Sequence, residues 1–307
     1  MFLFCKIEFK PIKNFIEIFV SVLGKFILYK AEMELKMSFN RESLKDAQRI
    51  VIKVGTSTLT YETGKMNFTR IDKLARIISD LSNQGKQVVL VTSGAIGVGV
   101  DKLKLPERPK TIREKQAVAA VGQCELMHMY SKFFSEYGHI VAQILLTRDI
   151  VGDERCSKNV VNTFETLLSK RIIPIVNEND SVSIVELKVG QKDTFSENDT
   201  LSAIVSKLIR ADLLIILSDI DGFYDCDPRK NPNSKLLSVI KEITPDIENC
   251  ADGAGTKRGT GGMVTKLSAA KIATKAGVDV VLTNGSHPEA ILDILSGQDI
   301  GTVFVGK

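Results

Sequence analysis

An α/β fold, a three-layer αβα sandwich around a mostly parallel sheet, is predicted by two features of the chain. From Arg49 onward, short apolar runs alternate with segments of helical period. Continuous apolar runs mark strands buried on both faces, and the intervening helices supply the cover. The second feature is where the distinctive polar residues fall. Parallel sheets gather ligands beyond the carboxyl ends of their strands. Gly55-Thr56-Ser57, Ser93-Gly94, Asn177–Asp180 and Ser218-Asp219 each follow an apolar run.

Taken in order, Arg49–Val54 (RIVIKV) is the first strand, broken by Gly55. Phe68–Asn83 places Ile71, Leu74, Ala75, Ile78 and Leu81 at helical spacing, with Thr69 as its N-cap and Gly85 as its stop. Gln87–Val91 is a buried strand that runs into Thr92–Gly97, a small-residue turn opening a helix. Thr111–Tyr137 is a long helix ended by Gly138; Ile140–Leu146 is a strand, Ser157–Lys170 a helix and Ile172–Val176 a strand. Val182–Val189 alternates apolar and polar residues, as a hairpin strand at the rim does. Asp199–Arg210 is a helix and Leu213–Leu217 the most apolar strand. A helix over Gly262–Ala276, a strand over Val278–Thr283, a helix over Pro288–Leu295 and a strand over Thr302–Val305 complete the pattern.

Composition bounds the function. The 307 residues are 44% apolar and 25% charged, as in ordinary globular proteins, and the net charge of +4 is too small to imply a nucleic-acid partner. Five cysteines without a Cys-x-x-Cys pair read as free thiols in a reducing cytoplasm, and the three scattered histidines lack ligand spacing, so no resident metal is expected.

Residues 1–45 differ from the rest, being rich in Phe, Ile and Lys. Their apolar run, Phe15–Tyr29, contains Glu17 and Lys25 and falls short of the roughly 20 residues a membrane span needs. The segment is expected to be an N-terminal extension outside the fold, with Met33 and Met37 as alternative starts; an amphipathic membrane-surface helix is the competing reading. Residues 46–307 then form one domain.

Several stretches carry chemistry. Lys53 sits inside an apolar strand, where a lysine needs a partner, and Gly55 just beyond it lets backbone approach an anion. Ser93-Gly94-Ala95 offers a hydroxyl at a helix N-terminus suited to a carboxylate or phosphate, although an N-cap serine would look the same. Asn177–Asp180 and Glu197-Asn198-Asp199 are two acidic-amide clusters at the mouths of buried elements, good material for holding a small polar ligand. Gly259–Lys266 (GTGGMVTK) is glycine-rich, opens a helix and is flanked by Lys257 and Arg258; it departs from the Walker A pattern yet suits a polyphosphate. Lys266 lies about one turn into that helix, within reach of a phosphoryl group. Ser218–Tyr224 could hold an adenine or be an ordinary acidic loop.

Six of these stretches, in register, resemble the amino acid kinase family: VIKVGTSTLT at 51–60, VTSGAIGVG at 91–99, IVNENDSVS at 175–183, ENDTLSA at 197–203, LSDIDGFYDCDPR at 217–229 and GTGGMVTK at 259–266. VTSGAIGVG together with VNEND points to members that phosphorylate the γ-carboxylate of L-glutamate, the first step of proline biosynthesis. The resemblance implies that Lys53 and Lys266 contact the transferring phosphoryl group. Asp199 would orient the two lysines or grip the substrate amine. It further implies that Ser93, Asp180 and Asn198 hold glutamate. ATP would be bound by Lys53, by Ser218-Asp219 and by the loop Thr260-Gly261-Gly262-Met263-Val264-Thr265-Lys266. Mg²⁺ would arrive on the ATP phosphates, proline would be a feedback inhibitor, and the protein would be a homo-oligomer, dimer or tetramer, with no membrane partner. Another acceptor, acetylglutamate or aspartate, would keep the fold. A non-catalytic sensor would lack one of Lys53, Lys266 or Asp199, and all three are present. Three departures stand out. Glu197 replaces a common Asp, the segment Val189–Ser196 is long, and Lys307 ends the chain where many relatives continue into a PUA domain.

Overall fold

The computed structural model describes residues 39–147, 153–182, 197–228, 231–252 and 262–307. Within them lie strands β1 (Arg49–Val54), β2 (Gln87–Val91), β3 (Val141–Leu146), β4 (Ile173–Glu178), β5 (Leu213–Ser218), β6 (Val239–Ile240), β7 (Asp279–Asn284) and β8 (Thr302–Phe304). The helices are α1 (Thr56–Leu59), α2 (Phe68–Asn83), α3 (Ala95–Lys102), α4 (Ile112–Glu136), α5 (Glu154–Ser169), α6 (Glu197–Leu208), α7 (Pro245–Asp252), α8 (Met263–Thr274) and α9 (Ala290–Leu295). A 3-10 helix over Arg41–Asp46 precedes β1.

The strands form one sheet in the order β3-β4-β2-β1-β5-β7-β8-β6. It is parallel except where β8 runs antiparallel to β7. Alternate residues of each strand face opposite layers. Val51, Val89, Val176, Leu214 and Val280 join Phe164 of α5, Leu201 of α6 and Leu267 of α8 in one buried cluster. Ile50 and Ile52 are also fully buried, on the opposite face. Helices α2 and α4, which pack on each other, bring buried Ile71, Leu74, Tyr130 and Phe134 outside that cluster.

Strand order explains where a ligand can sit. From β1 the chain crosses to β2 on one side, whereas β5, on the other side of β1, leads on to β7. Neighbouring strands whose connections diverge open a crevice at their carboxyl ends. That crevice lies beyond Val54 and Ser218.

Several expectations are corrected. The α2 N-cap is Asn67, whose side chain accepts from the Arg70 amide at 3.1 Å, so the helix includes Thr69. β4 extends through Asn177 and Glu178, because β3 continues the ladder with Leu145 opposite Asn177 and Leu146 opposite Glu178. Residues 41–45, assigned to the extension, belong to the compact unit Arg41–Lys307. Arg41 is buried there and donates to the carbonyls of Ser238, Ile300 and Gly301. α1 and the two-residue β6 lacked enough residues to show a period, and α7 was not read from the sequence. The rim strand expected at Val182–Val189 lies outside the described residues apart from Val182, an exposed turn residue.

Candidate active site

Lys53 is the penultimate residue of β1, flanked by Val91 of β2 and Ile216 of β5. It is only 5% exposed. A cation so placed requires a counter-charge, and the first turn of α6 brings one. Asp199, 0% exposed, places Oδ1 2.6 Å from Lys53 Nζ and Oδ2 3.3 Å from Lys266 Nζ. A carboxylate is favoured there, since the amino end of a helix carries partial positive charge. Lys266 is itself buried, in the first turn of α8. The Thr265 hydroxyl lies 3.1 Å from Asp199 Oδ2 and 2.8 Å from the Gly262 carbonyl.

Burial raises the Asp199 carboxyl, but the charges of Lys53 and then Lys266 outweigh it and hold the group below its ordinary value. For Lys53 burial dominates: the ammonium is lowered, Asp199 opposes the shift and Lys266 adds to it. Two ammoniums thus share one buried carboxylate among the described residues, an arrangement that an added anion would complement.

The helix ends around this cluster reinforce that bias. On α2, α4 and α5 the N-terminal amides are served by side chains of Asn67, Thr111 and Asp153. On α3 and α8 the N-caps are Gly94 and Gly262, with no side-chain cap. Such ends leave amides to serve an anion. Gly94 has φ 99°, a left-handed conformation that favours glycine. A Cβ there would lie 3.5 Å from Thr56 Oγ1.

Other sequence-predicted residues share this edge. Ser93 follows β2; its hydroxyl donates to the Val54 carbonyl at 3.2 Å and lies 3.4 Å from Thr56 Oγ1. Asp180 is buried in the turn after β4, and Asn198 is buried beside Asp199 on α6. Asn198 Oδ1 has no hydrogen-bond partner among the described residues. Ser218 ends β5, and its hydroxyl donates to Asp219 at 3.1 Å. Gly262 caps α8, Met263 is buried and Val264 is exposed. Thr260 and Gly261 lie outside the described residues.

Contacts therefore join Lys53, Asp199, Lys266 and Thr265 directly, while Ser93, Asp180, Asn198 and Ser218 surround them on adjoining elements. The sequence offered no sign that Thr265 touches Asp199, 66 positions away. It also hid the buried bond from Asn177 Nδ2 to Gln123 Oε1, 2.8 Å, which ties the end of β4 to α4. Thr56 was visible after the first strand, but its approach to Ser93 required the fold.

Residues 48–284 match the model of the amino acid kinase family. The chain is 66% identical over 267 residues to glutamate 5-kinase of Clostridium perfringens, covering 87% of this chain and 98% of that relative. Glutamate 5-kinase of Listeria monocytogenes is 57% identical over 267 residues, 87% and 96% of the two chains. Among solved structures, carbamate kinase from Giardia lamblia bound to AMP-PNP superposes with a TM-score of 0.59 at 18% identity, covering 85% of this chain and 99% of that one. UMP kinase from Ureaplasma parvum gives 0.57 at 16%, with 84% and 99% covered. These distant likenesses establish the fold, and the closer ones the kinship. The chain belongs to the amino acid kinase family.

Proposed function

We propose that the protein transfers the γ-phosphoryl group of ATP to the γ-carboxylate of L-glutamate, forming γ-glutamyl phosphate at the first step of proline biosynthesis. The observation that carries this reading is the buried Lys53–Asp199–Lys266 cluster at the carboxyl edge of the sheet. The high identity to glutamate 5-kinases supports the choice of acceptor.

The chemistry asks little of a base. A glutamate γ-carboxylate, with a pKa of about 4.3, is ionised at neutral pH and is already the nucleophile. Its oxygen attacks the γ-phosphorus, the bond to the β-phosphate oxygen breaks, and ADP departs. What the protein must supply is the juxtaposition of two anions and compensation for charge on the transferred group. In this reading Lys53 and Lys266 contact that group from opposite elements, and Asp199 holds both ammoniums in place. Ser93 and the uncapped end of α3 face a carboxylate of glutamate, while Asp180 and Asn198 receive its ammonium group. Asn198 Oδ1, a buried acceptor without a described partner, suits that task. Ser218, Asp219 and the loop Thr260–Lys266 take the nucleotide.

Among the described residues no group of three or more His, Cys, Asp or Glu is set to hold a metal ion. In this reading Mg²⁺ would enter on the ATP phosphates, and no step here runs through it. Proline, which shares the α-amino acid end of glutamate, would compete at the same site as a feedback inhibitor, and a homo-oligomer working in the cytoplasm completes the reading. The free thiols at Cys124, Cys156, Cys226 and Cys250 support a reducing compartment. No described helix is long and apolar enough to cross a membrane.

The test is ATP-dependent hydroxamate formation in hydroxylamine, with glutamate, aspartate and N-acetylglutamate compared as acceptors. Glutamate should be preferred; product from N-acetylglutamate alone would overturn the assignment. Lys266→Ala should lower kcat by roughly 10²–10³-fold while KM for glutamate changes less than about threefold. A change confined to KM for glutamate would refute the phosphoryl-contacting role.

A further inference from the structure

The Thr265 hydroxyl has one hydrogen and two acceptors, the Gly262 carbonyl at 2.8 Å and Asp199 Oδ2 at 3.1 Å. The first bond is ordinary, because threonines in helices often bond the carbonyl three residues back. The second is not, because it reaches a fully buried carboxylate on another helix. Asp199 Oδ2 is also the atom that Lys266 approaches. Lys266 has three hydrogens, so it can keep one on Oδ2 while offering another to a phosphoryl group; a second donor on Oδ2 fixes the carboxylate and, through it, the ammonium.

We propose that Thr265 is a positioning residue for phosphoryl transfer: its hydroxyl shares Asp199 Oδ2 with Lys266 and so fixes the carboxylate that holds both ammoniums in place. The inference rests on the role given above to Lys266. It assigns Thr265 to the charge cluster instead of to the ATP loop. The Gly262 carbonyl can release the hydroxyl because it also accepts from the Thr265 amide, 3.2 Å away. Gly262 is the N-cap of α8, so the same hydroxyl links the mouth of the glycine-rich loop to Asp199.

A pH signature follows from the surroundings of Asp199. Among the described residues the charges facing it are Lys53 from β1 and Lys266 from α8, with Asp219 beyond β5 acting on Lys53. Glu178, buried at the end of β4, is the other carboxylate on a strand packed against α6; β2 and β5 carry no charged side chain. Removing a donor to ionised Asp199 makes its protonation easier, so the acid limb of turnover should move to higher pH.

The experiment compares wild type with Thr265→Val, which keeps the shape, and Thr265→Ser, which keeps the hydroxyl, in the hydroxamate assay across pH. Thr265→Val should lower kcat by roughly tenfold to a hundredfold, with KM for ATP and glutamate within about threefold, and shift the acid limb upward. Thr265→Ser should restore both. A raised KM for ATP at unchanged kcat would make Thr265 a nucleotide ligand and overturn the proposal. Equal losses in both variants, with lowered Tm and no acid-limb shift, would make it a packing residue and do the same. A wild type that fails to phosphorylate glutamate would instead sink the functional reading; an active wild type with an unaltered Thr265→Val would sink only the role of the hydroxyl.

Discussion

At the scale of a single residue, Asp199 is held between opposing forces. Burial favours its neutral form, and two ammoniums favour the charged one and prevail. Asp199→Asn would remove the buried carboxylate that Lys53 and Lys266 share. Turnover should fall by roughly 10²–10³-fold, and stability at neutral pH by about 3 kcal/mol. The sign of the pH dependence follows from the directions of the shifts. A carboxyl held lower in the folded state contributes fully above its unfolded value of about 3.9 and loses that contribution as pH falls through the folded value. The lowered Lys53 ammonium also tilts stability upward with pH, over the alkaline window between its folded and unfolded values. The Tm gap between wild type and Asp199→Asn, measured from neutral pH downward, should therefore stay open to about pH 4 and narrow below it. A gap that widens in acid would mean that Asp199 is not the ionised centre of the cluster.

At the scale of elements, helix N-termini divide into two kinds with different consequences of substitution. The α4 end is closed by a reciprocal pair, with Thr111 accepting from the Glu114 amide and the Glu114 side chain accepting from the Thr111 amide. Thr111→Ala should cost about 1 kcal/mol and leave kinetics unchanged. The α3 end is glycine-capped, and Gly94→Ala must place a side chain at φ 99° against Thr56. It should cost about 1–2 kcal/mol and also raise KM for glutamate severalfold, since the Ser93 turn moves with it. Urea melts and initial rates on both variants separate the two kinds of end; a kinetic defect in Thr111→Ala would erase the distinction. The same contrast shows what the sequence could reveal. Local signals placed Phe68–Asn83 and Gln87–Val91 at their observed bounds, and the strand-end rule put Gly55, Ser93, Asp180 and Ser218 on one edge. Asn67 went unnoticed as a cap because Thr69, two residues on, carries the same kind of side chain. The pairing of Asp199 with Lys53 and with Thr265 depends on α6 and α8 packing together against the sheet, and no spacing within the chain encodes such a contact.

At the scale of the whole molecule, the residues before β1 act as a fastener. Arg41 reaches the segment before β6 and the turn before β8, donating to Ser238, Ile300 and Gly301 at 2.8, 2.8 and 2.9 Å. It thereby joins the start of the compact unit to the last strands added to the sheet, more than 190 positions along the chain. This is why the boundary drawn from composition at residue 46 was late. Composition registers the change to apolar strands but misses one arginine whose partners are backbone carbonyls. The ion pair to Asp299 at 2.9 Å contributes little to this fastening, because Asp299 is 69% exposed and water competes for it. Arg41→Ala should therefore lower stability by about 2–4 kcal/mol, a Tm decrease of roughly 5–12 °C, whereas Asp299→Ala should change it by less than about 1 kcal/mol. Neither variant should alter kcat at a temperature where both are folded, since the Arg41 partners lead into β8 and β6, three and four strands across the sheet from β1 and Lys53. Differential scanning calorimetry beside the hydroxamate assay decides the matter. Equal losses from the two substitutions would show that the salt bridge, and not the carbonyl contacts, closes the sheet.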